Sequence, residues 1–361
     1  MKTYRAALIG CSRMGAFIDN EVLDYPAIVL PYSHAAGYVE CSRTEFVACS
    51  DLRVEVMKEV GKRYGVPEDR HYTDYRELIE KAQPDIVSVA TQPEQRAEVV
   101  IFAVEHGVKA VYAEKAMAAS MQEAEAMVNA LEANGAILNL GTNRRWGPGF
   151  DKMKEVIDSG ELGALRSLII YSTGTLFNAS SHSFDLILRL NSDCPATSVQ
   201  SSLRAGDDIF EGDILRNDPV AEGIIQFENG VTVYALLTPR EGEWEAICEH
   251  GTVTALNNGM DWQLRRQVSI GETRWKKFEE DRFPSFEPAS STLRIIEDLV
   301  HSLDTGEPPR GGVRAAYAST ELIFAFIDSH RRGGSVVELP LKGSTIRLER
   351  KVEPRQPRYQ A

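Results

Sequence analysis

The chain has 361 residues, of which 43% are hydrophobic and 26% are charged, proportions that are typical of a soluble globular protein. This length is more than one hydrophobic core usually accommodates, so we expect two domains. The formal net charge of −13 argues against nucleic acid or an anionic membrane surface as the main partner, although it leaves room for a local basic pocket.

The spacing of the cysteines and the lengths of the apolar stretches indicate the cellular compartment of the protein. The five cysteines show no Cys-x-x-Cys spacing, and His, Cys and acidic residues do not cluster at metal-ligand spacing. No stretch of about 18 apolar residues occurs, and the first residues lead into a strand without an apolar leader. We therefore expect a cytoplasmic protein with reduced thiols, no metal and no membrane partner.

The first 142 residues alternate between short apolar runs and amphipathic segments. Strands are predicted over 6–9, 46–50, 86–90, 110–113 and 136–140, and helices over 54–64, 75–82, 95–106 and 121–134. Two of the helices begin with capping-box spacing, Asp74 with Glu77 and Ser120 with Glu123. This alternation predicts an α/β domain with a doubly wound parallel sheet over residues 1–142.

The pattern changes over residues 143–361, where longer strands predominate. A helix over 150–158, a strand over 165–173, a helix carrying His182, strands over 221–227, 231–237, 245–250 and 252–255, and helices over 291–303 and 313–331 are predicted. The sequence Glu-Asn-Gly at 228–230 indicates a hairpin between two of the strands. We expect an α+β domain with an open, mostly antiparallel sheet, whose exposed face would serve for homo-oligomerisation as a dimer or tetramer.

A glycine-rich loop follows the first predicted strand. Its residues are Gly10, Cys11, Ser12, Arg13, Met14 and Gly15. In the dinucleotide-binding pattern Gly-x-Gly-x-x-Gly, the first glycine allows a tight turn, the middle one lets the backbone approach the pyrophosphate, and the last lets helix and strand pack closely. Here Ser12 replaces the middle glycine, and it is small and can donate a hydrogen bond. The loop predicts dinucleotide binding in a Rossmann domain.

An acidic residue ends the second predicted strand, where it would accept hydrogen bonds from the adenosine ribose. This residue is Asp51, and its alternative role is that of an ordinary helix N-cap. The acid favours NAD, whereas Arg53 and Arg13 could meet a 2′-phosphate and leave NADP open. Asp51 follows Gly15 at more than the roughly 20 residues that the pattern expects.

The excess length is an insertion over 16–33, after which a new helix is predicted to begin at Ser33. Because the insertion follows the glycine loop directly, we expect it on the cofactor side of the sheet, as a lid or intersubunit segment that carries Tyr25 and Tyr32. The alternative is a loop that packs away from the site.

Two further segments carry proton chemistry. Lys115 follows the predicted strand 110–113, at the edge where open α/β sheets bind ligands. Asn178, His182 and Asp185 have the i, i+4, i+7 spacing of one helix face. Together with a dinucleotide, these residues suggest hydride transfer in which a lysine and a histidine manage the proton.

With these motifs, the chain resembles the Gfo/Idh/MocA family of NAD(P)-dependent oxidoreductases. The sequence Glu114-Lys115-Ala116 is similar to the family's Glu-Lys-Pro, with alanine in place of proline. The resemblance implies a Rossmann domain followed by an α/β domain with an open sheet that often serves for oligomerisation. It also implies that a carbinol carbon of a sugar or cyclitol is oxidised, or its keto form reduced, with NAD or NADP.

The resemblance also assigns roles to individual residues. It implies that Lys115 bonds the reacting oxygen and that His182 is the acid/base. Residues implied to contact the cofactor are Thr91, Gln92, Pro93 and Glu114, with Arg96 where a histidine is common; residues implied to lie near the substrate are Arg145, Trp146, Asn178 and Asp185. Asn178 stands where many members carry aspartate, and an amide cannot titrate. Asp185 is either a substrate contact or a structural residue.

The main interpretation is an NAD(P)-dependent dehydrogenase or ketoreductase that acts on a sugar, glycoside or cyclitol. One alternative is a lyase or glycosidase of the same fold that keeps its NAD bound and cycles it. Another is a non-catalytic NAD(P)-binding sensor, against which the retention of Lys115 and His182 argues.

Overall fold

The chain forms two compact units that interleave in sequence. The computed structural model describes residues 2–171, 174–204, 207–240, 242–351 and 356–360. The first unit comprises Met1–Trp146, Ala289–Thr320 and Arg347–Ala361, and the second comprises Gly147–Pro288 and Glu321–Ile346.

The first unit is built on a parallel sheet with the strand order β3-β2-β1-β4-β5-β6. Its strands are β1 (Tyr4–Ile9), β2 (Thr44–Ser50), β3 (His71–Tyr72), β4 (Ile86–Val89), β5 (Ala110–Ala113) and β6 (Ile137–Leu140). Strands β4 and β5 are buried at every residue, as their near-continuous apolar runs predict. The predicted doubly wound α/β fold is confirmed, and only the short edge strand β3 was not anticipated.

Five helices of the first unit connect these strands: α1 (His34–Glu40), α2 (Val54–Tyr64), α3 (Tyr75–Ala82), α4 (Pro93–Glu105) and α5 (Met121–Ala133). The predicted N-caps are present, because Asp74 accepts the N–H of Arg76 at 2.9 Å and Ser120 accepts the N–H of Glu123 at 3.2 Å. Helix α1 begins after Ser33, as predicted, with the Ser33 hydroxyl as its cap.

The second unit is built on a mixed, mostly antiparallel sheet with the strand order β16-β15-β14-β13-β7-β12-β11-β8-β17. Only β7 and β12 run parallel among these neighbours in the described part of the chain. The elements in chain order are α6 (Pro148–Asp158), β7 (Leu165–Ile170), α7 (Ser181–Leu190), β8 (Ala196–Leu203), β9 (Phe210–Glu211), β10 (Ile214–Leu215), β11 (Ala221–Phe227), β12 (Thr232–Ala235), β13 (Trp244–Cys248), β14 (Gly251–Leu256), β15 (Asp261–Ser269) and β16 (Lys276–Asp281). The predicted mostly antiparallel sheet is confirmed.

The remaining elements are α8 (Ser291–Thr305), α9 (Val313–Arg331), β17 (Val337–Glu338) and β18 (Arg347–Leu348). The predicted hairpin is formed by β11 and β12, with Gly230 at a φ of +82° in its turn. Seven further strands were not anticipated: β8, β9, β10, β15, β16, β17 and β18. The strand predicted over 165–173 ends at Ile170, and residues 172 and 173 lie outside the described residues.

Helix α8 explains why the units differ from the predicted division into 1–142 and 143–361. Its residues Ile295, Ile296 and Leu299 are fully buried in one cluster with Tyr4 of β1 and Tyr112 of β5. The helix therefore packs on the parallel sheet, and residues 289–320 belong to the first unit. Among the described residues, no helix combines the length and apolar character that crossing a membrane requires.

Replacing one residue of this packing tests the position of α8. Leu299→Ala is expected to lower the free energy of unfolding by about 2–5 kcal/mol, because it leaves a cavity in a closed core. Leu52→Ala removes the same atoms from a side chain that is 88% exposed, and should change this energy by less than about 0.5 kcal/mol. Urea unfolding of both variants is the measurement, and equal midpoints would contradict the packing of α8.

Candidate functional site

The glycine loop after β1 brings backbone segments too close for side chains. Gly10 has a φ of +92°, and a Cβ on it would lie 2.8 Å from the carbonyl oxygen of Ala90 after β4. A Cβ on Gly15 would overlap the carbonyl oxygen of Gly10. Residues Arg13–Phe17 form a π-helical turn that begins after Ser12 and includes Met14. Glycine at these two positions therefore lets the loop turn tightly against β1 and β4, as a cradle for a pyrophosphate requires.

The carboxylate of Asp51 ties this loop to the end of β2. Its Oδ2 accepts the N–H of Cys11 at 2.9 Å, and its Oδ1 accepts the N–H of Arg53 at 3.0 Å. The N-cap of α2 is Arg53, so Asp51 is not that helix's N-cap. A carboxylate has about four acceptor positions, so lone pairs remain for ribose hydroxyls. The acid and the loop together fit a dinucleotide.

The two arginines that could bind the 2′-phosphate of NADP already form ion pairs with acidic side chains. Arg53 Nε donates to Asp51 at 3.3 Å, and Arg13 Nε pairs with Glu21 at 2.6 Å. Both pairs are partly exposed, so a 2′-phosphate would have to compete with them. These two arginine–acid pairs therefore favour NAD over NADP as the cofactor.

The turn after β4 is held from two sides. Pro93 begins α4, and the guanidinium of Arg350 donates to Gln92 at 3.2 Å and to Glu94 at 2.9 Å. The buried guanidinium of Arg96 donates to the carbonyl oxygens of Thr91 and Ala116. Arg96 therefore joins this turn to the segment that follows Lys115.

Burial lowers the pKa of Arg96 to about 10, and the nearby charges of Glu114 and Glu94 oppose that shift. The side chain remains cationic at neutral pH. A charged group thus occupies the position where the resembled family commonly has histidine.

The Glu114-Lys115 segment follows β5 at the carboxyl end of the sheet. The peptide bond between Lys115 and Ala116 is cis, and the N–H of Lys115 donates to Glu114 Oε2 at 3.3 Å. Burial by itself would raise the pKa of the Glu114 carboxyl. A hydrogen bond from His34 and the charges of Lys115 and Arg96 outweigh it and hold this pKa below its usual value.

His34 was not singled out by the sequence. Its Nε2 lies 3.2 Å from Glu114 Oε1, and its side chain is fully buried. The only local signal was its place directly after the predicted cap Ser33, which identifies a helix start and not a partner 80 positions away.

The end of the insertion over 16–33 is anchored at this edge of the first unit. Asp19 accepts the N–H groups of Tyr32 and Ser33, both at 2.9 Å, and the Tyr32 hydroxyl accepts a hydrogen bond from Asn143 at 3.2 Å. Burial, and less strongly the charge of Glu114, raise the pKa of Tyr32 to about 12, so its hydroxyl stays protonated. Tyr25 is exposed. A lid or intersubunit role of the insertion stays a prediction.

In the second unit, the predicted single helix face is divided between two elements. Asn178 lies in a π-helical turn over Leu176–Ser180, whereas His182 and Asp185 lie in α7. The prediction of one α-helix through all three residues was therefore wrong in its geometry. The turn widens because the N–H of Ser180 bonds to the carbonyl oxygen of Thr175, five residues back.

The structure adds Asp218 to the surroundings of this turn. Its carboxylate accepts the N–H of Phe177 at 2.8 Å and the N–H of Asn178 at 3.0 Å. These are first-turn donors that have no partner within a helix, so the acid acts as their cap. Asp218 lies in an irregular segment before β11, and no sequence pattern marks it.

Three of the predicted substrate residues are buried. Trp146 belongs to the core cluster under α8, and Arg145, which is 1% exposed, donates to the carbonyl oxygen of Arg310 at 3.4 Å. Asp185 is 2% exposed on α7. The described contacts of Trp146 and Arg145 are thus with the interior of the first unit, and the substrate roles of all three stay predictions.

Comparison with known proteins identifies the first unit. A family model described as "Oxidoreductase family, NAD-binding Rossmann fold" matches residues 5–142, which confirms the predicted resemblance and the NAD-binding Rossmann domain. The chain is 28% identical over 163 residues to D-apiose dehydrogenase of Paraburkholderia graminis, and 32% identical over 125 residues to myo-inositol 2-dehydrogenase of Thermotoga maritima. These matches cover 45% and 35% of this chain, but only 38% and 36% of those proteins.

Solved structures extend the likeness to nearly the whole chain. The aldose-aldose oxidoreductase of Caulobacter crescentus has a TM-score of 0.73 at 18% identity, covering 94% of this chain and 100% of that one. An inositol dehydrogenase homolog of Azotobacter vinelandii, solved with NADH and myo-inositol, has a TM-score of 0.71 at 17% identity, covering 93% and 98%. At such identities the likeness shows the fold.

Removing the Asp51 carboxylate tests the dinucleotide cradle. Asp51→Ala is expected to weaken NADH binding about tenfold or more, because it removes a charged acceptor worth ~1.5–3 kcal/mol per hydrogen bond. NADPH should lose less, since Arg53 is released. Asp85→Ala is the matched control, because Asp85 also accepts a hydrogen bond from a backbone N–H, that of Arg5, and forms an ion pair with Lys109. Fluorescence titration measures both, and equal losses of NADH affinity would contradict the assignment.

Removing the Asp218 carboxylate tests the cap of the π-helical turn. Asp218→Ala leaves two N–H groups without their acceptor, so amide exchange at Phe177 and Asn178 should accelerate about tenfold or more. Asp213→Ala, which removes an exposed acid paired with Arg331, should leave it unchanged. Hydrogen exchange followed by mass spectrometry is the measurement, and unchanged protection in Asp218→Ala refutes the capping role.

Proposed function

Residues 5–142 belong to the Gfo/Idh/MocA oxidoreductase family, and from this premise we propose that the chain is an NAD(P)-dependent dehydrogenase or ketoreductase for a sugar, glycoside or cyclitol. The observation that carries the proposal is the position of Lys115. It follows β5 at the same sheet edge as the glycine loop after β1, with only β4 between the two strands. An ammonium group beside a dinucleotide cradle suits alkoxide stabilisation.

In the proposed reaction a secondary carbinol carbon gives up a hydride and its hydroxyl gives up a proton. The bound cofactor supplies the hydride acceptor at its nicotinamide C4 and returns the hydride in the reverse direction. Lys115 hydrogen-bonds the reacting oxygen and stabilises its developing negative charge. His182 takes the hydroxyl proton, which an imidazole can do near neutral pH.

Asn178 and Asp218 have separate proposed roles in the second unit. Asn178 orients the substrate through its amide, which hydrogen-bonds hydroxyl groups but cannot exchange a proton near neutral pH. Asp218 fixes the backbone that carries Asn178. Of these three residues, only His182 has a proposed role in proton transfer.

We further propose that the chain assembles as a homo-oligomer, a dimer or tetramer, through the sheet of the second unit. Ile224 on β11 and Tyr234 on β12 are direct cross-strand partners, and both are exposed, at 37% and 39%. A paired apolar patch on an open sheet favours burial against another protein surface. The reduced state of the five cysteines suits a reducing compartment such as the cytoplasm.

A substrate panel tests the activity. Purified protein with NAD or NADP should change absorbance at 340 nm with at least one sugar, glycoside, cyclitol or keto form, and NAD should be preferred. Turnover of substrate without net reduction of free cofactor would instead support the NAD-cycling alternative. NADH binding with no turnover of any compound would contradict both and favour the sensor.

Two substitutions test the assigned residues. Lys115→Ala and His182→Ala should each lower kcat/KM about 10²-fold or more while NADH affinity changes little, because each removes a group that acts in the transition state. The controls are Lys109→Ala, on the lysine that precedes β5, and His250→Ala, on an exposed turn histidine, and both should retain activity. Full activity of either test variant would remove that residue from the mechanism.

A further inference from the structure

A buried histidine lies against the acid that precedes Lys115, and the proposed mechanism does not use it. His34, in the first turn of α1, is fully buried, and its ring stacks on Tyr112 with centroids 3.8 Å apart and planes 17° apart. Tyr112 and Glu114 are two positions apart at the end of β5. The imidazole is thus fixed by ring stacking directly beside the Glu114-Lys115 segment.

Both nitrogens of the His34 ring have partners. Nδ1 shares a hydrogen bond with Ser88 Oγ at 2.9 Å, and Ser88 Oγ shares one with the Tyr38 hydroxyl at 2.7 Å. The Nε2–H donates to Glu114 Oε1 at 3.2 Å, because an ionised carboxylate can only accept. Ser88 and Tyr38 therefore hold the ring so that Nε2 faces the carboxylate.

Glu114 in turn holds the backbone of Lys115 in place. Its second oxygen, Oε2, accepts the backbone N–H of Lys115 at 3.3 Å. On the other side, Arg96 donates to the carbonyl oxygen of Ala116. Lys115 thus lies between two backbone anchors, and one of them depends on the orientation of a single buried carboxylate.

A buried carboxylate that loses a partner will move or protonate, because an unpaired charge in the interior is costly. His34 and Arg96 are the side chains other than Lys115 that lower the pKa of the Glu114 carboxyl, and Arg96 donates its described hydrogen bonds to carbonyl oxygens. Within the part of the chain that the structure describes, the hydrogen bond that reaches the Glu114 side chain from outside its own segment is therefore the one from His34.

We propose that His34 is a positioning residue for Lys115: its Nε2–H orients the Glu114 carboxylate, which fixes the backbone from which the Lys115 ammonium extends. The consequence for catalysis rests on the proposed role of Lys115. The geometric claim, that His34 fixes the Lys115 backbone, does not depend on that role. Misplacement of a catalytic group by about 1 Å costs about 10²-fold in rate, so a loosened Lys115 should show in kcat.

Three variants separate positioning from simple core filling. His34→Phe keeps the stacked ring and removes both nitrogens, whereas His34→Gln keeps an amide donor that reaches Glu114. His71→Phe is the matched control, because His71 in β3 also uses Nε2 for one hydrogen bond, to the carbonyl oxygen of Val66 at 3.1 Å. If His34→Phe does not fold, His34→Asn replaces it, since its shorter amide reaches Ser88 but not Glu114.

Two readouts decide the proposal. In His34→Phe, amide exchange at Lys115 should accelerate about tenfold or more, and kcat should fall about tenfold or more with KM and NADH affinity within about twofold. His34→Gln should recover most of both, and His71→Phe should match the unmodified protein. Unchanged exchange at Lys115 in His34→Phe, or equal kcat in the Phe and Gln variants, overturns the proposal. Faster exchange in a protein that turns over no substrate instead supports the positioning and refutes the proposed function.

Discussion

The buried carboxylate of Glu114 is the interaction on which the candidate site of the first unit depends. This carboxylate lies at the carboxyl end of β5 and accepts hydrogen bonds from His34 of α1 and from the backbone N–H of Lys115. The positive charge of Arg96 in α4 also lowers its pKa. A charge with so little exposure is stable only when its partners are in place. The Rossmann sheet supplies those partners from separate elements, so folding of the sheet and formation of the site are coupled.

The glycine loop imposes a second constraint at the same edge of the sheet. A Cβ at Gly15 would overlap the Gly10 carbonyl oxygen, so the chain has to turn there without side chains. Asp51 then holds the loop against the end of β2 through the hydrogen bond that its carboxylate accepts from the N–H of Cys11. The loop is therefore ordered by the protein itself, and a bound dinucleotide does not have to supply that order. Preorganisation of this kind reduces the entropic cost of binding.

The sequence predicted the parallel sheet well because its signals are local. Helices α2 and α3 have the bounds that their apolar periodicity and caps indicate, and β4 and β5 are near-continuous apolar runs. Strand β16 was missed because every one of its residues is exposed, so no burial pattern marks it. Placing α8 with the second domain failed for another reason: an amphipathic helix shows that it packs, but not on which sheet.

The candidate residues divide in the same way. Motifs that are contiguous in sequence, such as the glycine loop and Glu114-Lys115, could be found because their chemistry is local. The contact between His34 and Glu114 joins positions 80 residues apart, and that between Asp218 and Asn178 joins positions 40 residues apart, so neither leaves a pattern in the chain. Asp218 holds the backbone of Asn178 directly, whereas His34 acts on Lys115 through the carboxylate of Glu114. In the proposed reaction, anchoring and chemistry are therefore assigned to different residues: Glu114 and Asp218 hold backbone N–H groups, and Lys115 and Asn178 supply the side chains that act on the substrate.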